Sequence, residues 1–181
     1  ESFSLREKIN EKGKAAYETE VKKSFVQDVS LAKFKLDSLD KPEEFVWVNY
    51  DFDILDEKQD ILYFNPLLAG EGYKENPFKS AQRLYPVEMP YGFDQSYTLQ
   101  MEVPAGYEVD ELPKSMVVKM NESGEGMFEY RISQSGTSIS FRCRVQLKRA
   151  YFDPEEYDML REFFNMIVTK ESEQIVFKKK K

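Results

Sequence analysis

Short segments in which apolar and polar residues alternate fill the second half of the sequence and constrain its fold most strongly. In residues 97–103, tyrosine, leucine, methionine and valine occupy every second position, with polar residues between them. A period of two is typical of a β-strand with one buried face. Glycine-bearing turns separate the segments that follow, and short turns join antiparallel neighbours. We therefore predict an antiparallel meander with strands at 97–103, 116–120, 128–132 and 139–147.

The first half of the chain also contains β patterns. Residues 32–36 and 45–54 predict a pair of strands, because apolar side chains take every second position from Val46 to Ile54. Residues 61–64 are apolar throughout, which predicts a short buried strand.

The segment 8–21 has two interpretations. We favour a hairpin in which Gly13 supplies the positive φ of the turn. The alternative is a helix with Ser4 as its N-cap and Glu7 as the capping-box partner, which Gly13 would soon interrupt.

One helix is predicted near the C-terminus, over about 154–170. Asp153 is a typical N-cap, Pro154 suits the first helical position, and Glu156 completes a capping box. The apolar residues then recur at helical spacing and predict a face that packs against the sheet. They are Tyr157, Leu160, Phe163, Phe164, Ile167 and Val168. A last short strand is predicted at 174–177.

Residues 65–94 carry prolines and glycines without a periodic pattern. Such a long connection in a compact domain is expected to pack through its aromatic side chains. These are Tyr73, Phe78, Tyr85, Tyr91 and Phe93.

The predicted fold class is therefore all-β: one antiparallel β-sandwich over residues 1–181, with a C-terminal helix packed on it and a jelly roll as one fitting topology. The length of 181 residues allows one large domain or two small ones, and we favour one because a β-sandwich can reach this size alone. A hydrophobic content of 41% can fill its interior. The net charge of −7 makes nucleic acid an unsuitable partner. No stretch is apolar for the ~18 residues of a membrane span, and residues 1–4 show no signal pattern, so we expect a soluble chain.

The sequence contains no histidine and a single cysteine, Cys143. Without histidine the usual triads, Cys-His pairs and zinc sites are excluded. Cys143 shares the parity of Phe141 and Val145 in its strand, so we interpret it as a core residue. We predict no catalytic residue, no cofactor and no enzymatic activity.

An acidic run at Asp51, Asp53, Asp56, Glu57 and Asp60 raises the question of a calcium site. The EF-hand pattern fails, since it requires an oxygen ligand at Leu55 and a glycine at Asp56. We interpret Asp51 and Asp53 as the solvated face of a strand, and a calcium site of another type stays open. No metal ligand is assigned.

Three aromatic residues are candidates for a binding platform: Trp47, Tyr91 and Phe93. Trp47 has the parity opposite to Val46 and Val48, and an exposed aromatic row would suit a glycan or an extended peptide. Burial under the long loop explains the same residues and is the interpretation we favour.

Ordered motifs in the second half resemble a known family. The motifs are Arg83-Leu84-Tyr85-Pro86-Val87-Glu88, Pro90-Tyr91-Gly92-Phe93-Asp94, Pro104-Ala105-Gly106-Tyr107-Glu108-Val109, Glu111-Leu112-Pro113-Lys114-Ser115, Pro154-Glu155-Glu156-Tyr157 and Glu173-Gln174-Ile175-Val176. Together they resemble the C-terminal domain of unknown function of bacterial transglutaminase-like envelope proteins, most strongly over 76–181. The resemblance implies a β-sandwich and an exported, periplasmic or envelope-associated parent whose papain-like core precedes this domain. The family's catalytic Cys, His and Asp belong to that core, so none is carried over.

The sequence thus leads to a non-catalytic accessory domain that orients or shields the upstream catalytic core, its expected partner. The alternative is an envelope glycan- or peptide-binding β-sandwich module. A hydrolase using two carboxylates is the third hypothesis.

Overall fold

A computed structural model describes residues 2–25, 29–54, 59–68 and 71–180. The chain divides into two compact units, Glu1–Lys58 with Leu68–Gly70, and Gln59–Leu67 with Glu71–Lys181. The interpretation of residues 1–181 as one domain stays a prediction.

The N-terminal unit begins with two helices, α1 (Ser2–Lys12) and α2 (Lys14–Ser24), so the favoured hairpin over 8–21 is wrong. Gly13 does have a positive φ of 83°, but it ends a helix: its N–H donates to Ile9 O at 2.8 Å. Gly13 thus follows the last turn of α1 and is also the N-cap residue of α2. The segment is rich in Glu, Lys and Ala, whose helix propensity outweighed a weak alternation.

The predicted strand pair of this unit is confirmed by β1 (Val29–Asp37) and β2 (Trp47–Ile54), which run antiparallel. The register shifts between Ala32 and Lys35, where Lys33 adopts a φ of 52°. On one face, Phe34 and Tyr50 stack with their ring centroids 6.0 Å apart. The small core of this unit therefore depends largely on aromatic contacts.

The C-terminal unit contains the remaining strands and one long helix in its described part. They are β3 (Ile61–Phe64), β4 (Val87–Glu88), β5 (Phe93–Glu102), β6 (Tyr107–Glu111), β7 (Met116–Lys119), β8 (Gly126–Ser135), β9 (Ser138–Leu147), β10 (Tyr151–Phe152), α3 (Tyr157–Glu171) and β11 (Ile175–Lys179).

The strands of this unit form three antiparallel sheets, with orders β5-β9-β8-β7, β3-β11-β6 and β10-β4. The meander is confirmed for β7, β8 and β9, and β5 joins it on the free side of β9. The alternation of apolar and polar residues does not predict the strands β4, β6 and β10. The short strand at 61–64 exists, but the prediction that it is buried is wrong for Ile61 and Tyr63. Side chains alternate between the faces of a strand, and these two lie on the solvent face, whereas Phe64 is buried.

Helix α3 begins as predicted. Pro154–Glu156 form a 3-10 turn that leads into it, and Asp153 and Glu156 make the capping box, with Asp153 N–H donating to Glu156 Oε2 at 2.9 Å. The predicted apolar face is buried: Tyr157, Leu160, Phe163, Phe164 and Ile167 all belong to the core.

The fold class predicted from the sequence is confirmed, since antiparallel sheets dominate and a C-terminal helix accompanies them. None of the helices in the described residues has the length and apolarity to span a membrane.

Candidate functional site

The long connection, residues 65–94, packs on α3 through only some of its aromatic side chains. Phe78 lies edge-on to Tyr157 and Phe164, with centroid distances of 6.1 and 5.1 Å, and Tyr73 contacts Phe164 at 5.1 Å. Asn76 fastens the same stretch by donating to Arg161 O at 2.9 Å. The expectation that this loop packs through its aromatics is confirmed for Tyr73 and Phe78.

A buried polar cluster lies where the end of α3 meets the four-stranded sheet. Glu171 is buried in the last turn of the helix, and its Oε1 accepts a hydrogen bond from Cys143 Sγ at 3.4 Å. Its Oε2 accepts the backbone N–H of Tyr73 at 2.6 Å. The Glu171 carbonyl in turn accepts Asn65 Nδ2 at 2.8 Å. The carboxylate thus joins the loop, the helix and β9.

The electrostatics of this cluster disfavour nucleophilic chemistry. Burial, and then the charge of Glu171, raises the pKa of the Cys143 thiol far above its usual range. Burial also raises the pKa of the Glu171 carboxyl, although the hydrogen bonds from Tyr73 and Cys143 act in the opposite direction. A thiol held protonated is a poor nucleophile. The core position predicted for Cys143 is confirmed.

Lys170 and Tyr130 complete the buried cluster. Lys170 Nζ lies 5.0 Å from the centroid of the Tyr130 ring and 2.6 Å from Glu173 Oε2. The Tyr130 hydroxyl is buried without a hydrogen-bond partner among the described residues. An ammonium over an aromatic face is a favourable contact, so Lys170 helps to hold the helix on β8.

Lys170 and Glu171 were not predicted from the sequence as functional or buried polar residues. The helical spacing of the buried face offers the signal, since Leu160, Phe164, Ile167 and Glu171 follow one another at intervals of four, three and four. A charged residue on the continuation of an apolar face predicts a buried polar group with specific partners.

The three residues of the predicted platform belong to different units. Trp47 lies in β2 of the N-terminal unit, whereas Tyr91 and Phe93 lie in the C-terminal unit. Trp47 is 62% exposed and Tyr91 is 73% exposed, so the favoured interpretation that both are buried is wrong. Phe93 is half-buried at the start of β5, opposite Leu147.

The exposed apolar side chains of the C-terminal unit include a group that we call the aromatic patch: Leu84, Tyr85, Tyr91 and Tyr151. The first two are 87% and 78% exposed. Tyr151 pairs with Glu88 in the β4–β10 ladder, whose opposite face buries Val87 and Phe152.

The backbone around the patch is firmly placed. Met89 N–H donates to Ala150 O at 2.8 Å, and a Cβ at Gly92 would lie 2.6 Å from Leu147 O, so only glycine fits this approach. Two of the loop aromatics that were expected to pack, Tyr85 and Tyr91, are therefore exposed instead, and the backbone on both sides of Tyr91 is held by close contacts.

The acidic run does not come together as a metal site within the described residues. Asp51 and Asp53 are exposed on β2, as predicted, and Asp51 pairs with Lys33 Nζ at 2.7 Å. Asp56 and Glu57 lie outside the described residues. Over the described ranges no three acidic or cysteine side chains are grouped so that they could hold a metal ion.

Comparisons with known proteins place the C-terminal unit in a family. The sequence profile of a domain of unknown function with a solved structure, DUF3858, matches residues 60–177. A crystal structure of a "putative protease" from Parabacteroides distasonis is similar with a TM-score of 0.47 and 17% identity. The similarity covers 55% of this chain and 19% of that protein, so the chain spans about a fifth of its length. No curated protein matches the sequence.

Proposed function

Since this chain belongs to the DUF3858 family of domains of unknown function, we propose that it is a non-catalytic accessory domain of an exported transglutaminase-like protein. In this role it docks on the catalytic core of the same parent protein and orients or shields it. The aromatic patch is the observation that carries the proposal.

The patch has the features of a docking surface. All four side chains lie in the β4–β10 ladder or within three residues of β4, each is exposed, and tyrosine is enriched in protein interfaces. The ladder between β4 and β10 orders the backbone at Tyr151, and an ordered backbone loses less conformational entropy on docking.

The buried cluster supports a non-catalytic role. The thiol of Cys143 is inaccessible, and the adjacent charge is that of Glu171, a carboxylate. A catalytic cysteine needs a neighbour that stabilises its thiolate, and a carboxylate does the opposite. The resemblance of the motifs after residue 76 to transglutaminase-like proteins supports the identity of the partner.

Co-expression of the transglutaminase-like core and this domain as separate chains tests the proposal. We expect the two to co-purify, and we expect Tyr85→Ala combined with Tyr91→Ala to weaken the association strongly. Tyr63→Ala is the matched control, because Tyr63 is an exposed tyrosine on β3, outside the patch. Equal loss in both variants, or no association at all, would contradict docking through the patch.

A binding module for glycan or extended peptide is the second candidate, and the exposure of Trp47 favours it. A solvent-facing indole can stack on a sugar ring or an extended chain. Retention on an envelope glycan column that Trp47→Ala abolishes, together with failure to associate with the core, would favour this function instead.

A further inference from the structure

The outer face of the four-stranded sheet carries an unusual arrangement of arginines. The inner face of β8 and β9 buries Tyr130, Phe141 and Cys143, so the residues between them point outward. Arg142 on β9 is consequently placed directly opposite Arg131 on β8. Like charges in directly opposite positions destabilise a sheet, so this pair has a cost for the fold.

Arg144, the next outward residue of β9, is already neutralised. Its Nε and Nη2 donate to the two carboxylate oxygens of Asp94, at 2.7 and 2.5 Å. Gln146 donates to the same carboxylate at 2.8 Å. This bidentate pair with its added amide uses most of the acceptor capacity of Asp94.

Arg131 is also paired, with Glu129 on its own strand. Arg142 differs: within the described ranges it makes no hydrogen bond and no ion pair. Its charge reaches the two carboxylates only at longer range, where it helps to lower the pKa of Asp94 and of Glu129, after the stronger effects of their own arginines. The outward face carries four cations, the three arginines and Lys119, and three carboxylates, which are Asp94, Glu102 and Glu129. One net positive charge therefore remains on a face of a protein whose net charge is −7.

A cleft of about 460 Å³ lies beside Arg142 on this face. That volume falls within the roughly 300 to 1,000 Å³ typical of small-molecule sites. Short polar side chains surround the guanidinium groups. The polar lining consists of Thr98, Gln100, Ser115, Arg131, Ser133, Ser140 and Arg142, and the Ser115 hydroxyl is already bonded to the backbone of Ile132.

We propose that this cleft binds a sugar that bears a single carboxylate. The guanidinium of Arg142 has the planar fork that pairs with a carboxylate through two hydrogen bonds. One uncompensated positive charge matches a monoanion better than a doubly charged phosphate group. The hydroxyls of Thr98, Ser133 and Ser140 and the amide of Gln100 are donors and acceptors suited to the hydroxyls of a sugar ring.

The cleft shares no lining residue with the aromatic patch, and its ligand is independent of the docking role proposed above. Bound carboxylate would also relieve the repulsion between Arg131 and Arg142. The free energy that this repulsion costs the free protein would therefore be recovered when the carboxylate binds.

Amide NMR titration of the full chain tests the site, with glucuronate and galacturonate as probes and glucose as the neutral counterpart. We expect saturable shifts at Thr98, Ser140 and Arg142 with at least one of the acids, and none with glucose at the same concentration. Inorganic phosphate at the same ionic strength should compete weakly. Absence of shifts with both acids, equal binding of glucose, or equal binding of phosphate would overturn the proposal.

Substitutions then identify the residue responsible. Arg142→Gln should weaken binding of the acid about tenfold or more, as expected for the loss of a charge-assisted pair. Arg142→Lys keeps the charge but removes the fork, and should bind more weakly than the unmodified chain. Lys119→Gln is the matched control, because Lys119 is an exposed cation on β7 that does not line the cleft.

A melting temperature for each variant separates binding from folding. Arg142→Gln should melt at or above the melting temperature of the unmodified chain, since it removes the positive charge that lies opposite Arg131. If Arg142→Gln and Lys119→Gln bind the sugar acid with equal affinity, the sugar binds at another site and the proposal is wrong.

Discussion

The thiol of Cys143 donates a hydrogen bond to Glu171 across 3.4 Å, which joins the middle of β9 to the last turn of α3. Both residues are buried. The same carboxylate accepts the N–H of Tyr73, so the position of the long loop, the helix and the sheet depends on one acidic side chain. A buried polar group with specific hydrogen-bond partners permits fewer alternative arrangements of these elements than apolar packing does.

Glu171 should give the protein a recognisable pH dependence. Burial raises its folded pKa above the ordinary 4.5, with the charge of Glu71 acting the same way. Because the folded state holds the proton more tightly, this contribution to stability is fully present below pH 4.5 and is lost as the pH rises through the folded pKa.

Denaturant unfolding at a series of pH values measures this effect. The unfolding free energy of the unmodified chain should fall relative to that of Glu171→Gln as the pH rises from 4.5 through the folded pKa of Glu171. The carboxylates with lowered pKa, such as Asp94 and Glu156, are present in both chains and cancel in the difference. A difference in unfolding free energy that does not vary with pH would contradict the raised pKa of Glu171.

Cys143 should be inert in the native protein, because it is buried and its pKa is raised by burial and by Glu171. Labelling with a thiol reagent should be slow without denaturant and fast once the chain unfolds. Fast labelling of the folded chain would exclude the buried position.

Gly72→Ala should destabilise the protein by about 1 kcal/mol more than Gly106→Ala. Both glycines have a similar positive φ, 82° and 85°, so the backbone strain of a Cβ is matched. At Gly72 the Cβ would lie 2.9 Å from Glu171 Oε2 and from Leu67 Cδ1, whereas at Gly106 it meets open space. Equal unfolding free energies of the two variants would show that the loop is not packed on Glu171.

Asp153→Ala should lower the unfolding free energy by about 0.5 to 2 kcal/mol, because it removes the N-cap of the helix whose face fills the core. The partner Glu156 would keep its pair with Arg149, so the loss is confined to the cap. Asp158→Ala, an exposed acidic residue in the first turn of α3, is the control and should cost less. An unchanged denaturation midpoint for Asp153→Ala would place the start of the helix elsewhere.

Local sequence patterns determined much of this fold. The period-two alternation of 139–147 and 128–132 predicted strands that the structure confirms, because one face of each had to be buried. Asp153, Pro154 and Glu156 located the start of α3, since a cap is a local hydrogen-bonding arrangement. The same parity placed Cys143 inside.

The segment around Gly13 fitted both a turn and a helix end, and local helix propensity decided between them. Other features depended on contacts that no local pattern contains. Tyr73 and Tyr91 come from one loop, yet only the first has a neighbouring helix to cover it. The opposition of Arg131 and Arg142 required the register of β8 against β9, which sets side chains eleven residues apart in direct contact positions. The sequence by itself therefore determined the strands of the meander, the cap of α3 and the inward face of β9, because these depend on neighbours along the chain. Only the tertiary structure decided which polar groups are buried together at Glu171 and which aromatics stay in solvent, because those outcomes depend on elements distant in sequence.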